Sequence, residues 1–182
     1  MALDSSKVRA AVSGAVSVGP TTATAPTGTG GALTGFTDLG YISDAGVTEA
    51  RERSTNEIRA WQGGALVRTL ITSGSLTYHF IMLETKLETV KLFYGVATVT
   101  STVTDGNFLI VPTATGGRQS FVLDVIDGAE LIRTYVPQGE LTEVGDRVYV
   151  NSEAIGYEVT ISAYPDTTLG ANAKVWATAL KT

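Results

Sequence analysis

Two Asp-Gly pairs in the second half of this chain constrain its fold more than any other feature. Asp127-Gly128 stands between Ser120–Ile126 and Glu130–Val136, and Asp105-Gly106 between Val96–Thr104 and Asn107–Pro112. The flanking runs are rich in β-branched and aromatic residues, and Asp-Gly readily takes the left-handed backbone that a tight hairpin turn requires. Antiparallel pairing is therefore expected across most of residues 96–136. Further strands are predicted at Val8–Val18, Leu66–Thr72, Leu76–Leu83, Arg147–Val150, Gly156–Tyr164 and Lys174–Leu180, with Ser73-Gly74-Ser75 as the turn between the second and third of these. About ten short strands, closely punctuated by turns, predict a mainly β chain built as a β-sandwich or partial barrel.

One helix interrupts this pattern. Leu83, Leu87, Val90 and Tyr94 recur at intervals of 4, 3 and 4, one apolar stripe at helical period. Glu88 and Lys91 face each other at i,i+3, and Gly95 stands where a left-handed C-terminal residue is expected. A helix over about residues 83–94 is too short to hold alone in water and must dock on the sheet through Leu83, Leu87 and Val90.

Two segments stay ambiguous. Residues 10–37 carry no charge, and Gly19–Gly35 contains only Gly, Pro, Thr, Ala and one Leu. With so little to bury it reads either as a flexible loop or as an arm that orders against a neighbouring subunit. Val47–Ile58 is polar and charged, and reads as an exposed hairpin or a long loop.

The 182 residues suit a single domain spanning the chain. Charged residues are 17% of it, against a usual value of about 25%, and 27 are threonine. So weak a surface charge suits subunits that cover one another, or a Thr-rich monomer. The charge is uneven: residues 1–104 carry 8 acids and 8 bases, and residues 105–182 carry 10 acids and 5 bases, a net −5. With a sequence pI near 4.8 this is the opposite of a nucleic-acid-binding footprint. No apolar run exceeds four residues, far short of a bilayer span, and Asp4 breaks any signal-peptide pattern.

The residues for catalysis are scarce. There is no Cys, so no thiolate ligand, disulfide or Cys nucleophile. His79 is the one imidazole and reads as a part-exposed strand histidine on the face shared by Thr77 and Ile81. Asp124 with Asp127, and Glu140 with Glu143, flank turns and read as solvated acids rather than glycosidase pairs. Thr27–Gly31 lacks the Gly-Lys-Ser/Thr ending of a phosphate loop, and Asp44-Ala45-Gly46 lacks the ligand series of a calcium loop. Trp61 and Trp176 suit a carbohydrate platform or, more simply, core or interface anchors. No enzyme, cofactor or metal is expected.

The order of several motifs resembles the major tail, or tail tube, proteins of long-tailed bacteriophages, especially those of actinobacterial hosts. The residues that carry the likeness are Gly14-Ala15-Val16 with the Pro/Thr/Gly tract through Pro26, Leu39–Thr48, and Ile58–Gly63. Glu84-Thr85, Tyr94-Gly95, Arg133–Pro137, Gly156–Thr160 and Ala163–Asp166 follow in the same order. Lys86 departs from the small polar residue more usual after Glu-Thr. The likeness implies a sandwich with one flanking helix, hexameric rings stacked head to tail into a hollow tube, and a barrel-lined lumen that passes DNA without binding it. It further implies a virion tail location after assembly in the bacterial host cytoplasm, with tape measure, tail terminator and distal tail proteins as partners and no membrane. A non-contractile tail is favoured over a contractile tail or secretion injector. From the charge asymmetry, the lumen is expected to be acidic, with Asp124, Glu130 and Glu140 as candidate lumen-facing residues. A monomeric β-sandwich carbohydrate-binding module is the alternative, and a β-sandwich hydrolase a weaker one.

Overall fold

The computed structural model describes Asp4 and residues 7–181. Ten strands and one α-helix follow one another among them: β1 (Ser13–Pro20), β2 (Thr37–Asp38), β3 (Ile42–Arg59), β4 (Leu66–Met82), α1 (Leu87–Tyr94), β5 (Thr100–Ser101), β6 (Gly106–Asn107), β7 (Gln119–Asp127), β8 (Glu130–Val144), β9 (Tyr157–Ala163) and β10 (Lys174–Ala177). The main sheet is antiparallel, in the order β2-β1-β7-β8-β9-β4-β3, with β10 added to β8.

Strand β8 joins two halves. Its first part lies between β7 and β10, with Ile132–Tyr135 opposite Ala177–Lys174; its second part pairs with β9. Gly139 is opposite both Gln119 and Ala163, and marks the crossing from one half to the other. The ladder slips beside it, where Ser120 donates its hydroxyl to the Pro137 carbonyl at 3.0 Å. The core lies on one face of both halves: Val16, Phe121, Leu123 and Val136 from the first, Phe80, Met82, Tyr157, Val159 and Ile161 from the second. Helix α1 covers it, with the Phe93 ring edge-on to Tyr157 at 5.4 Å. This is the expected sandwich-like partial barrel with one flanking helix.

The Asp127-Gly128 hairpin forms as predicted. Asp127 pairs with Glu130, and Gly128 takes a φ of 60°. Gly95 caps α1 at φ 61°, and Lys91 meets Glu88 at 3.4 Å.

The buried stripe of the helix differs from the expected one. Leu83 still belongs to the strand exit, its N–H donating to the Tyr41 carbonyl at 2.8 Å, so α1 begins at Leu87. That shorter, two-turn helix is rotated so that Thr89, Val90, Leu92 and Phe93 are buried, while Leu87 is 47% exposed. The aromatic contact of Phe93 with Tyr157 replaces the aliphatic stripe as the determinant of which face turns inward.

Ser73-Gly74-Ser75 is not a turn. These residues pair with Ser54, Arg53 and Glu52 inside one continuous strand, β4. A partner strand supplies ladder hydrogen bonds that local turn propensity does not outweigh, and of the three register slips along this pair the one beside Ser73 leaves Thr72 without a direct ladder partner. Val47–Ile58 is the partner, a regular strand that is charged because both of its faces are exposed.

Arg147–Val150 forms no strand. The hairpin predicted across residues 96–112 shrinks to two residue pairs, Thr100 with Asn107 and Ser101 with Gly106. Its turn is Thr102–Asp105, closed by the Thr102 hydroxyl, which donates to the Asp105 carboxylate at 2.6 Å. At the N-terminal end pairing begins at Ser13, and Val8 and Val12 are exposed. The Gly/Pro/Thr tract after β1 folds back over the face of β7 and β8 opposite the core. There Arg133 donates to the carbonyls of Gly28 (3.4 Å) and Gly31 (3.5 Å), and Phe36 sits edge-on to Tyr135.

Candidate functional site

Alternation along β9 defines the most distinctive surface. Tyr157, Val159, Ile161 and Ala163 point into the core, so Glu158, Thr160 and Ser162 point the other way. Register carries that face across the four-stranded half β8–β9–β4–β3. Glu140 lies opposite Ser162, Glu143 opposite Thr160, His79 opposite Thr160 and Thr48, and Glu52 opposite Ser75. The remaining positions from Ser54 and Ser73 upward are Ser, Thr, Ala and Ile. Every ionisable position on this part of the face is thus a glutamate or His79, with no Lys or Arg among the described residues. Hydroxyls knit it laterally: Thr142 meets Ser162 at 3.0 Å. His79 is the part-exposed strand histidine expected, its Nε2 2.8 Å from Glu158 Oε1.

The three predicted acids do not converge. Glu140 lies on the polar face and accepts a hydrogen bond from the Thr115 hydroxyl at 2.8 Å. Asp124 lies in the other half of the sheet, clamped by Arg133 at 2.7 Å with its side chain 14% exposed. Glu130 sits at the β7–β8 turn, 3.7 Å from Arg9, and also accepts from the Thr178 hydroxyl. The residues that do share a face with Glu140 are Glu52, Glu143 and Glu158. The period-two alternation of residues 157–163 was the signal for Glu158; Glu52 and Glu143 become neighbours only through strand register.

The same half-sheet has two unpaired edges among the described residues. One is β3 along its length; the other is the second part of β8, from Glu140 onward, where β7 has ended. Exposed edges of this kind are templates for pairing with another chain. Beyond the body, β3 and β4 continue as a two-stranded ribbon exposed on both faces, and Trp61 at its tip is 97% exposed. An isolated ribbon is marginally stable in water, which favours its being covered. Trp176 lies on β10 beneath Lys174, so the two tryptophans sit on separate elements and form no shared platform.

At the opposite end of the half-sheet, Arg147 fastens the loop between β8 and β9. It donates to the hydroxyls of Tyr94 (2.7 Å) and Tyr157 (2.8 Å), and its guanidinium lies over the Tyr149 and Tyr157 rings. The loop presents Val148, Tyr149 and Val150 to solvent. Nothing local in the sequence announces this strap, because its partners are 53 and 10 residues away.

Comparison with known proteins places these surfaces in context. A family described as phage tail tube protein matches residues 1–179. No curated protein sequence matches the chain. Among solved structures, a chain of the sheath-tube complex of an extracellular contractile injection system in its extended state is similar at TM-score 0.51 and 12% identity, covering 97% of this chain and 99% of that one. A chain from the tail of an empty GTA particle, with C6 symmetry, aligns at TM-score 0.41 and 10% identity, covering 91% and 96%.

Proposed function

The chain belongs to the phage tail tube protein family, and on that premise we propose that six copies close into a ring and that rings stack into the tail tube, a passive conduit for DNA. The observation that carries this reading is the half-sheet β8–β9–β4–β3, with two free edges and a polar face that, from Ser54 and Ser73 toward the body, holds no Lys or Arg among the described residues. Pairing the body part of the β3 edge of one copy with the β8 edge of the next joins the half-sheets into a continuous barrel and covers the β8 edge and the matching stretch of β3. The polar face then lines the lumen. Each Lys or Arg on a phosphate adds salt-dependent affinity, so a wall that passes DNA should present none. Glu52, Glu140, Glu143 and Glu158 make that wall acidic; Asp124 and Glu130 are spent on contacts elsewhere in the subunit.

Stacked rings make heterologous contacts that do not close, and so propagate as a filament. The subunit performs no catalysis in this role. It assembles in the host cytoplasm around a tape measure protein, between a distal tail protein and a tail terminator. Negative-stain electron microscopy of the purified protein, with and without a tail-tip complex as initiator, tests the reading. Rings or tubes are expected; a monomer by light scattering at every concentration, with initiator present, rejects it.

A further inference from the structure

The β3–β4 ribbon ends in an indole with nothing to pack against. Trp61 is 97% exposed, and Arg59 and Arg68 flank it. Large aromatic side chains in that position are the commonest anchors of protein interfaces. An indole needs an apolar slot and an acceptor for its N–H.

One cavity of the subunit offers both. It measures about 260 Å³ and is lined by Ile81, Leu83, Val148 and Val150 together with the acids Asp146, Glu153 and Glu158. Ser43 also lines it, and the Ser43 Oγ is buried without a hydrogen-bond partner among the described residues. A buried hydroxyl left unpaired is costly, and a turn of the Ser43 side chain toward the cavity on insertion would let an indole N–H satisfy it. The acids of the cavity complement Arg68 near the ribbon tip, where Arg59 is already paired with Glu57 at 2.6 Å.

Position decides which copy is involved. β4 runs from Leu66 at the tip to Met82 at the root, where Met82 pairs with Tyr157. The cavity lies at that root, under the loop joining Val144 to Tyr157. Seventeen strand residues separate the two ends, roughly 50 Å at the usual rise. A subunit therefore cannot fill its own cavity, but a head-to-tail neighbour along the strand direction brings tip to root.

We infer that Trp61 of one copy inserts into the Ser43–Val148 cavity of a second copy in the adjacent ring, its indole N–H donating to Ser43 Oγ. This rests on the stacked-ring reading and supplies its axial lock. Arg147, by fastening the loop to Tyr94 and Tyr157, holds the receiving wall in shape before the partner arrives.

The test uses the full chain. Trp176→Phe leaves Trp61 as the only tryptophan. On tube formation its emission should move to shorter wavelength, and its quenching by acrylamide should fall several-fold. Trp61→Ala should keep the melting curve of the parent subunit yet raise the concentration needed for tubes by at least about tenfold, as expected for loss of an interface anchor. The chain has no Cys, so Gln62→Cys with Ala154→Cys should give disulfide-linked ladders from oxidised tubes and none from monomers. Tubes whose Trp61 is quenched as readily as in the monomer, or Trp61→Ala tubes forming at the parental concentration, overturn the inference and leave the ring reading standing. A parent protein that stays monomeric with an initiator overturns both.

Discussion

Arg133 and Asp124 face each other across the β7–β8 ladder in a two-pronged pair. Arg133 Nε donates to Asp124 Oδ1 and Arg133 Nη2 to Oδ2, both at 2.7 Å, with side chains 7% and 14% exposed. The hydrogen bonds to Asp124 raise the arginine's pKa, and its remaining nitrogen is aimed at the carbonyls of Gly28 and Gly31. The pair thus ties the uncharged tract to the sheet. Asp124→Ala strands a buried guanidinium and should cost about 3–5 kcal/mol in urea unfolding. Asp124→Ala with Arg133→Met should recover much of that loss. Amide exchange in residues 21–35 should accelerate in the single variant. An unchanged urea midpoint for Asp124→Ala would show that the pair is not holding the tract.

The helix makes a paired prediction. Leu92 is 3% exposed and touches the core, so Leu92→Ala should cost about 2–5 kcal/mol. Leu87, half exposed, should tolerate Ala within about 0.5 kcal/mol. Thermal melts of the two variants side by side decide it; the opposite order would mean that α1 packs through the other face.

The contrast between these leucines shows what was legible in the sequence. Turn chemistry was read correctly at Gly128 and Gly95, because a left-handed backbone is a local requirement that glycine meets at low cost. The single helix and a mainly β chain of about ten strands were legible from period, but the total hides exchanges: Leu66–Thr72 and Leu76–Leu83 are one strand, Arg147–Val150 is none, and β2 and β3 were not expected as strands. Errors arose where a distant partner overrode local preference. Ser73-Gly74-Ser75 stays extended because β3 runs beside it, and Arg147–Val150 stays unpaired because Arg147 is held by two tyrosines. The acidic character of one surface was visible as the net charge of residues 105–182. Its members were not: Asp124 and Glu140 look alike in sequence, and only strand register separates a buried partner of Arg133 from a residue on the polar face.

Glu84 supplies a pH-dependent contact at the root of β3 and β4, the end opposite Trp61. Its carboxylate accepts from the Tyr41 N–H at 2.8 Å and meets Lys86 at 2.9 Å, and these two partners, Lys86 first, lower its pKa. A lowered folded-state value means that the contact stabilises fully above the ordinary carboxylate range and weakens as pH falls through the lowered value. Stability should therefore decline on acidification below about pH 5, and Glu84→Gln should flatten part of that decline. The measurement is the urea midpoint of both proteins across that range. Identical pH profiles would remove Glu84 from the acid response.

The acidic lumen can be tested without disturbing the fold, provided the right residues are changed. Reversing Asp124 would break its pair with Arg133 and report on folding instead. Glu52 and Glu143 are exposed on the polar face and appear in no ion pair of the described subunit, so their reversal should alter stability by no more than about 0.5 kcal/mol. In a six-subunit ring, Glu52→Lys with Glu143→Lys turns two rings of negative charge into two of positive charge. Each lysine that reaches a phosphate adds affinity that falls with salt. At physiological ionic strength the field of one charge decays within about 8 Å, so the wall acts on DNA only at close range. Phage carrying the double reversal should assemble tails of normal appearance, eject DNA slowly at low salt, and regain much of the normal rate as salt rises. Asp105→Lys, on the exposed turn between β5 and β6, changes the net charge of the subunit without touching the polar face and should eject normally. If the double variant ejects at the parental rate at low salt, the face that carries Glu52 and Glu143 does not line the channel, and the β3-to-β8 closure that would turn it inward fails with it.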